Sequence, residues 1–312
     1  MEFNESTSNP PSSEELSEEI VQNYSFEYLS SSAILFRSVT GMKIVCFNTV
    51  FYPIIQTYFE EKRNQLGPHD KLSCPDEAVM LLVYLKQGTT YLELGRLFNL
   101  SESRTRRIIN EDVFNIAILL EEIIQWKNLQ QQQHLNEEDF IGFSSVIGII
   151  DATEIKINRP KNAAIQRKYY SGKSKIHCLK FQIIVQPEKG EIMHVGKLSK
   201  GNRHDFKMIK KSGIFEQVGN EESLMGDSGY QGMDEYCNAI VPKKKTRGRL
   251  SQEDSQNNQK ISKKRVIVEH AFAKMKRFKI LRNKWTGKIS NHEFLEKIVQ
   301  IVAVIVNLNS QN

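Results

Sequence analysis

The sequence predicts an α/β domain built on a mixed sheet, preceded by an all-α segment that contains a helix-turn-helix. Three observations carry this. Apolar side chains recur at helical spacing up to about residue 126, runs of branched apolar residues at strand length begin at Ser145, and later helical stretches alternate with shorter strands. The 312 residues are enough for one large or two modest domains, and 39% apolar with 26% charged content is ordinary for a soluble protein.

Residues 1–22 are rich in Ser, Glu, Asn and Pro with few large apolar side chains, so they are expected to form a disordered acidic tail. Residues 26–66 read as helix, with Met42, Ile44, Val45, Phe47, Val50 and Phe51 apolar and Pro53 dividing the stretch. Ser73 is a cap for a helix with Pro75 in its first turn, Asp76 and Glu77 near its positive end, and Gly88 as its stop. A second helix follows in TTYLELGRLFNL, Asn99 and Leu100 turn, and Ser101 caps a third in SESRTRRIINEDVF. Residues 71–112 therefore outline a helix-turn-helix. Arg104, Arg106 and Arg107 fall on exposed turns of the third helix, where a recognition helix needs cations for base edges and phosphates. The same pattern also suits a helical bundle with a basic solvent face. Residues 113–126 continue as amphipathic helix. The polar stretch 129–139, with its glutamine run as a spacer, divides a helical domain (23–128) from an α/β domain (140–312).

The strand reading begins with VIGIIDATEIKI. Five of the six residues before Asp151 are Val, Ile or Gly, which suits a central strand buried on both faces. A carboxylate inside such a run needs a metal, a cation or several donors. Further strands are expected at 177–186, 192–198, 223–225 and 239–242. A loop opens a helix near Asp205, 243–260 is a basic then Gln/Asn-rich loop, 263–281 is a helix, and Ser290 or Asn291 caps a last helix to Leu308.

Two downstream acids are candidate partners for Asp151. Asp227 follows a short apolar strand in LMGDSGYQG, and Glu269 lies in the helix RVIVEHAFAKMKRFKIL, at spacings of 76 and 42 residues. Two strand carboxylates and a helix carboxylate make a cage for two hard divalent cations, Mg²⁺ with Mn²⁺ as a substitute, where thiolates would select softer metals. Such a pair of ions serves in-line displacement at phosphorus. Arg265 and Lys276 share the helix face of Glu269 and are expected to flank it toward DNA.

The net charge of +6 is uneven, with only acids in the first twenty residues and Lys and Arg dominating 242–288, which points to a polyanionic partner. Cys46, Cys74, Cys178 and Cys237 form no C-x-x-C pair, which argues against a zinc ribbon or disulfide scaffold. No secretory leader is visible, and the late apolar stretch 298–306 is too short for a bilayer, so no membrane association is expected.

These motifs resemble the PIF/Harbinger superfamily of DDE transposases and their derived nucleases, which belong with the bacterial IS5-like transposases. The resemblance runs through GIIDATEIKI, YYSGKSKIHCLKFQIIVQPEKGEI, KGNRHDF, GDSGYQG and RVIVEHAFAKMKRFKIL, over roughly 140–285. It implies a ribonuclease H-like fold for the α/β domain, with Asp151, Asp227 and Glu269 as the metal-binding acids. His204 and Asp205 match an auxiliary pair, while Tyr169, Tyr170 and Lys173 match a segment that lies along DNA. It implies metal-dependent cutting of DNA and joining of 3′-hydroxyl ends to a target, assembly as a homo-oligomer, and in eukaryotic members a Myb-like DNA-binding partner. The compartment is the nucleus for a Harbinger-like member and the cytoplasm for a bacterial one. Thr153 and Glu154 depart from the glycine and threonine usual after the first acid. The basic run Lys243, Lys244, Lys245, Arg247 and Arg249 is a phosphate-contacting loop, an import signal or a solvated charge run. The alternative function is that of a domesticated transposase-derived DNA-binding or regulatory protein that no longer transposes.

Overall fold

The computed structural model describes residues 24–66, 72–132, 142–245 and 249–310. The acidic tail, Arg247 and most of the 129–139 connector lie outside the described residues.

The helical part opens with α1 (Phe26–Ser30) and α2 (Ala33–Thr40), then α3 (Ile44–Cys46), which passes through a π-turn at Phe47–Phe51 into α4 (Tyr52–Leu66). The division expected at Pro53 falls elsewhere. The chain bends by 78° around Gly41, whose φ of 75° closes α2 with a left-handed cap. Pro53, which has no amide to donate, follows the wide turn in which the Tyr52 amide reaches the Phe47 carbonyl. The next three helices match the expected helix-turn-helix. α5 (Cys74–Gln87) starts with a reciprocal cap between Ser73 and Asp76 and ends at Gly88 with φ 60°. α6 (Tyr91–Leu97) has the same device in Thr90 and Glu93, and α7 (Glu102–Leu119) is capped by Ser101. Every residue from Glu77 to Leu85 is buried, so α5 is the axis of this bundle.

α4, α5 and α7 are tied by a buried charge cluster. Lys62 Nζ lies 2.5 Å from both Glu77 Oε1 and Asp112 Oδ1, and Tyr58 donates its hydroxyl to the same Asp112 oxygen at 2.9 Å. Burial alone would lower the affinity of Lys62 for its proton, but Asp112 and Glu77 more than offset it and hold the ammonium charged.

α7 stops at Leu119, short of the expected helix to 126, because the following segment is drawn to the sheet. Trp126 Nε1 donates to the Gln217 carbonyl at 3.2 Å, and Lys127 pairs with Glu191 at 2.6 Å. The glutamine run is also more than a spacer. Gln132 is buried and its amide donates to the carbonyls of Lys127 and Ile147.

The α/β part contains β1 (Val146–Lys156), α8 (Ala163–Tyr169), β2 (Tyr170–Ser171), β3 (Ile176–Val185), β4 (Ile192–Val195), β5 (Ser199–Lys200), α9 (Asp205–Ile209), β6 (Ser223–Met225) and β7 (Asn238–Ile240). They form one mixed sheet in the order β2-β3-β1-β6-β7, with β4 and β5 also on β3. β3 is antiparallel to β1, whereas β6 is parallel to β1 and β7 to β6. Three helices complete the chain, α10 (Gln252–Met275), α11 (Lys279–Arg282) and α12 (His292–Ser310).

α10 begins eleven residues before the expected Lys263, so much of the supposed 243–260 loop is helix. Ser251 caps it by accepting from the Asp254 amide at 3.0 Å, with Glu253 and Asp254 at its positive end. It ends at Met275, and α11 is a separate short helix. Val268, Ala271, Phe272 and Met275 are buried under the sheet, with Phe272 edge-on to Phe181 of β3. α12 covers β4, where Asn307 accepts from the Ile192 amide and donates to its carbonyl. Phe114 of α7 meets Phe294 of α12 with ring centroids 6.0 Å apart, so the helical part and the sheet share one apolar core.

Candidate active site

The parallel pairing of β1 with β6 decides where two of the acids go. Ile149 of β1 is opposite Met225 of β6, and each acid, Asp151 and Asp227, stands two residues beyond that pair. Both acids therefore stand just past the end of the β1–β6 pairing, Asp151 in the middle of β1 and Asp227 beyond the last residue of β6. Asp227 turns its Oδ1 onto the Gly229 amide at 2.7 Å and so caps the short turn Ser228–Tyr230. A Cβ at Gly229 would lie 2.8 Å from Asp227 Oδ1 and 3.3 Å from Asp205 Oδ2, so a larger residue there would push the carboxylates aside.

Asp151 is held by two donors. The Ala152 amide donates to Oδ1 at 2.7 Å, and Arg265 of α10 donates from Nη2 to Oδ2 at 2.9 Å. Burial nevertheless pushes this carboxyl above its usual range, against the pull of Arg265 and the Ala152 amide, and neighbouring Asp227 pushes the same way. Lys173, exposed in the turn between β2 and β3, is near enough for its charge to favour the ionised form. Loss of solvent is thus the main influence on Asp151, and its two protein donors do not fully replace it.

Behind these acids lies Tyr230, fully buried, its hydroxyl accepting from Gln182 Nε2 at 2.7 Å. Burial raises the phenol well above its ordinary value, and the carboxylates of Asp151, Asp205 and Asp227 all add to that. Asp205 is therefore part of the acidic group. It forms an ion pair with Lys180 of β3, and its backbone carbonyl accepts from Gln182 at 2.8 Å. Asp205 is the first residue of α9, as its expected place near a helix start requires, and His204 occupies the cap position, exposed and without a side-chain capping bond. Tyr230, Gln182 and Lys180 were missed. The one signal was GDSGY, in which the tyrosine follows the acid by three residues.

Glu269 lies on α10 four residues after Arg265, on the same flank of the helix, and its side chain is exposed. Among the described residues no group of three or more His, Cys, Asp or Glu stands close enough to hold a metal ion. The structure therefore gathers Asp151, Asp227 and Asp205, with Glu269 a helix turn from the guanidinium that contacts Asp151.

Comparison with known proteins gives this arrangement a family. Residues 150–307 match the DDE superfamily endonuclease model, and residues 70–113 match the helix-turn-helix of DDE superfamily endonucleases. The chain belongs to the DDE superfamily endonucleases. It is 28% identical to a protein of Microchaete diplosiphon assigned as the transposase of insertion sequence element IS702, over 81% of this chain and 87% of that one. It is 26% identical to a Streptomyces albus G protein assigned as the transposase of IS112, over 68% of this chain and 72% of that one. No solved structure matches.

Within this DDE endonuclease the expected DNA-facing residues divide. Arg265 is held by Asp151 in this structure, and Lys276 is half-buried, its ammonium disfavoured by burial. Tyr169 is buried with its hydroxyl 3.0 Å from His292 Nε2, whereas Tyr170 and Lys173 are exposed. On α7, Arg107 is exposed, Arg104 is half-buried, and Arg106 pairs with Glu102 at 2.6 Å while lying over the Tyr91 ring. Lys243 pairs with Asp254 at 2.6 Å, and its backbone amide and carbonyl are bound by the Asn258 side chain, while Lys244 and Lys245 are exposed. Trp285 is buried against Phe294, which gives it a core role. All four cysteines are free.

Proposed function

We propose that this chain is a divalent-metal-dependent endonuclease and strand transferase. It cuts DNA at element ends by phosphodiester hydrolysis and joins the freed 3′-hydroxyl ends to target DNA. The observation that carries this reading is the delivery of Asp151 and Asp227 to one end of the β1–β6 pairing, close enough for the charge of each to act on the other. The donor set is chemically suited to a hard cation, since every candidate ligand is a carboxylate oxygen and Asp151 already accepts from a guanidinium.

In this reading Asp151, Asp227 and Glu269 hold the metal and Asp205 is auxiliary. Bound there, two Mg²⁺ ions, or Mn²⁺ in their place, supply positive charge that polarises the phosphodiester and eases proton loss from the attacking hydroxyl. The chain's own residues do the rest. Gln182 ties Tyr230 to the backbone of Asp205 behind the acids, Lys173 is exposed and within electrostatic reach of Asp151 so that it can meet a phosphate, and Arg265 is free to turn to phosphate once Asp151 is otherwise neutralised. Arg104, Arg106 and Arg107, with Lys243, Lys244 and Lys245, supply affinity for the backbone.

A ribonuclease H-like architecture is part of the reading. It is supported by a central β1 with antiparallel β3 on one side and parallel β6 on the other. So is a division into a helical unit (23–128) and a catalytic unit (140–312), supported by separate family matches. The relatives are transposases of bacterial insertion sequence elements, which favours the IS5-like branch and cytoplasmic action over a nuclear, Harbinger-like one with a Myb-like partner; a homo-oligomer on paired ends is part of the same reading. No observation favours the domesticated alternative.

The test is nicking of supercoiled plasmid by the purified chain in Mg²⁺ or Mn²⁺, beside Asp151→Asn, Asp227→Asn and Glu269→Gln. Metal-dependent nicking lost in all three variants is the expected result. Nicking that survives in any of them removes that acid from the mechanism.

A further inference from the structure

Two adjoining hollows lie against α10 on the side away from Asp151. One, of about 260 Å³, is lined by Arg37, Lys86, Lys189, Lys274 and Arg277. The other, of about 330 Å³, shares Lys189, Lys274 and Arg277 and adds His270. At about 100° per residue, Lys274 is half a rotation around α10 from Arg265, so this groove and the acids occupy opposite flanks of one helix.

No lining residue of either hollow is acidic. The cations come from separate elements that only the fold assembles: the last turns of α2 and α5, the end of α10, and the β3–β4 turn. Basic residues in last turns normally answer the helix dipole, which accounts for roughly half a charge per helix end. Three helix ends thus balance only about 1.5 of the five Lys and Arg charges. Two of the cations are aimed by the protein. Lys86 donates to the Arg277 carbonyl at 3.1 Å while packed over the Phe278 ring, and Lys274 donates to Ser310 Oγ at 3.1 Å. Arg37, Lys189 and Arg277 are exposed. Lys86 shows the consequence: burial lowers its affinity for a proton, and Arg277, Lys279, Arg282 and Arg37 lower it further. Like charges crowded in this way are relieved by a polyanion.

We propose that this groove binds the phosphodiester backbone of a second DNA duplex, separate from the one engaged at the acids. The proposal rests on the reading of the chain as a DNA-joining enzyme, because joining requires two DNA segments held at once. All five cations line the first hollow, and Lys189, Lys274 and Arg277 also line the second, so the positive surface continues from one hollow into the next, as successive phosphates of a backbone require.

The test is binding of a short labelled duplex in EDTA, across a salt series, by wild type, by the triple variant Arg37→Gln, Lys189→Gln, Arg277→Gln, and by Arg104→Gln, Arg107→Gln. At low salt, wild type should take up two duplexes per chain and the triple variant one. The slope of log affinity against log salt should fall by about 0.9 for each phosphate contact removed. The losses from the two sets of substitutions should add, as for independent sites. The exposed positions leave the fold intact, which an unchanged melting temperature checks. A wild type that saturates at one duplex, or a triple variant with unchanged slope and stoichiometry, overturns the proposal. Inorganic pyrophosphate provides a second arm: if it stabilises wild type but not the triple variant, while duplex binding is the same in both, the groove takes a small polyphosphate and the duplex assignment fails. Because binding is read without metal, Asp151→Asn should bind like wild type. Nicking that persists in Asp151→Asn would instead strike the catalytic reading and leave the groove result standing.

Discussion

Arg265 of α10 and Asp151 of β1, separated by 114 residues in sequence, meet at 2.9 Å with side chains only 15% and 18% exposed. The contact fixes the rotation of α10 on the sheet and so sets which flank carries Glu269. It also places a protein cation at a buried carboxylate of a candidate metal site. Without metal, Arg265→Ala is expected to destabilise the chain by about 1–3 kcal/mol, below the range for fully buried pairs because both groups keep some solvent. Added Mg²⁺ should then stabilise Arg265→Ala more than wild type, since the ion meets an unpaired carboxylate. Urea unfolding with and without Mg²⁺ measures this. Equal stabilisation of both proteins would mean that Arg265 does not occupy the place of a cation.

The buried Lys62 cluster predicts a larger effect in the helical part. Lys62→Met leaves Glu77 and Asp112 facing each other with no cation, at a cost of about 3–5 kcal/mol. Replacing all three by apolar residues of similar volume should recover much of that loss, because the carboxylates that need compensation are gone. Urea unfolding of the single and triple variants decides it. A triple variant as unstable as Lys62→Met would show that the cost is packing and not charge.

On α7 the two exposed arginines should not behave alike. Arg106 is engaged by Glu102 and Tyr91, so reaching a phosphate means giving those contacts up, whereas Arg107 projects into solvent. Arg107→Ala is expected to lower the salt slope of DNA binding by about 0.9, the value for one phosphate, and Arg106→Ala by less. Salt titrations of the two variants give the comparison, and an equal loss would show that the Glu102 pair opens freely on DNA.

What the sequence disclosed follows from where each signal resides. The caps at Ser73 and Ser101 and the apolar run that carries Asp151 are local, written within a few residues, and the structure has them where expected. The start of α10 was missed because QEDSQNNQK has no apolar face. That turn is held instead by the Ser251 cap and by Lys243 and Asn258 reaching across eleven and fifteen residues. The pairing of Arg265 with Asp151 was not legible because a helix face shows its own neighbours and not what the sheet presents to it. Gln132 looked like spacer for the same reason, since its partners Lys127 and Ile147 meet only when β1 is in place.

His194 predicts how the fold responds to acid. It lies on β4 opposite Ile184 of β3, half-buried, with Nε2 enclosed and without a hydrogen-bond partner among the described residues. Burial lowers its pKa from 6.5 to about 4. The folded chain therefore keeps this ring neutral while the unfolded chain protonates it near 6.5, so the unfolded state gains protons first as pH falls. The stabilisation is full above pH 6.5 and is lost between there and about 4, by at most about 3 kcal/mol at 1.36 kcal/mol per unit. His194→Leu, which cannot charge, should flatten the stability profile across that window while leaving neutral-pH stability nearly the same or higher. Urea midpoints measured at several pH values follow it, and a variant that loses stability along the wild-type curve would assign the acid limb to other groups.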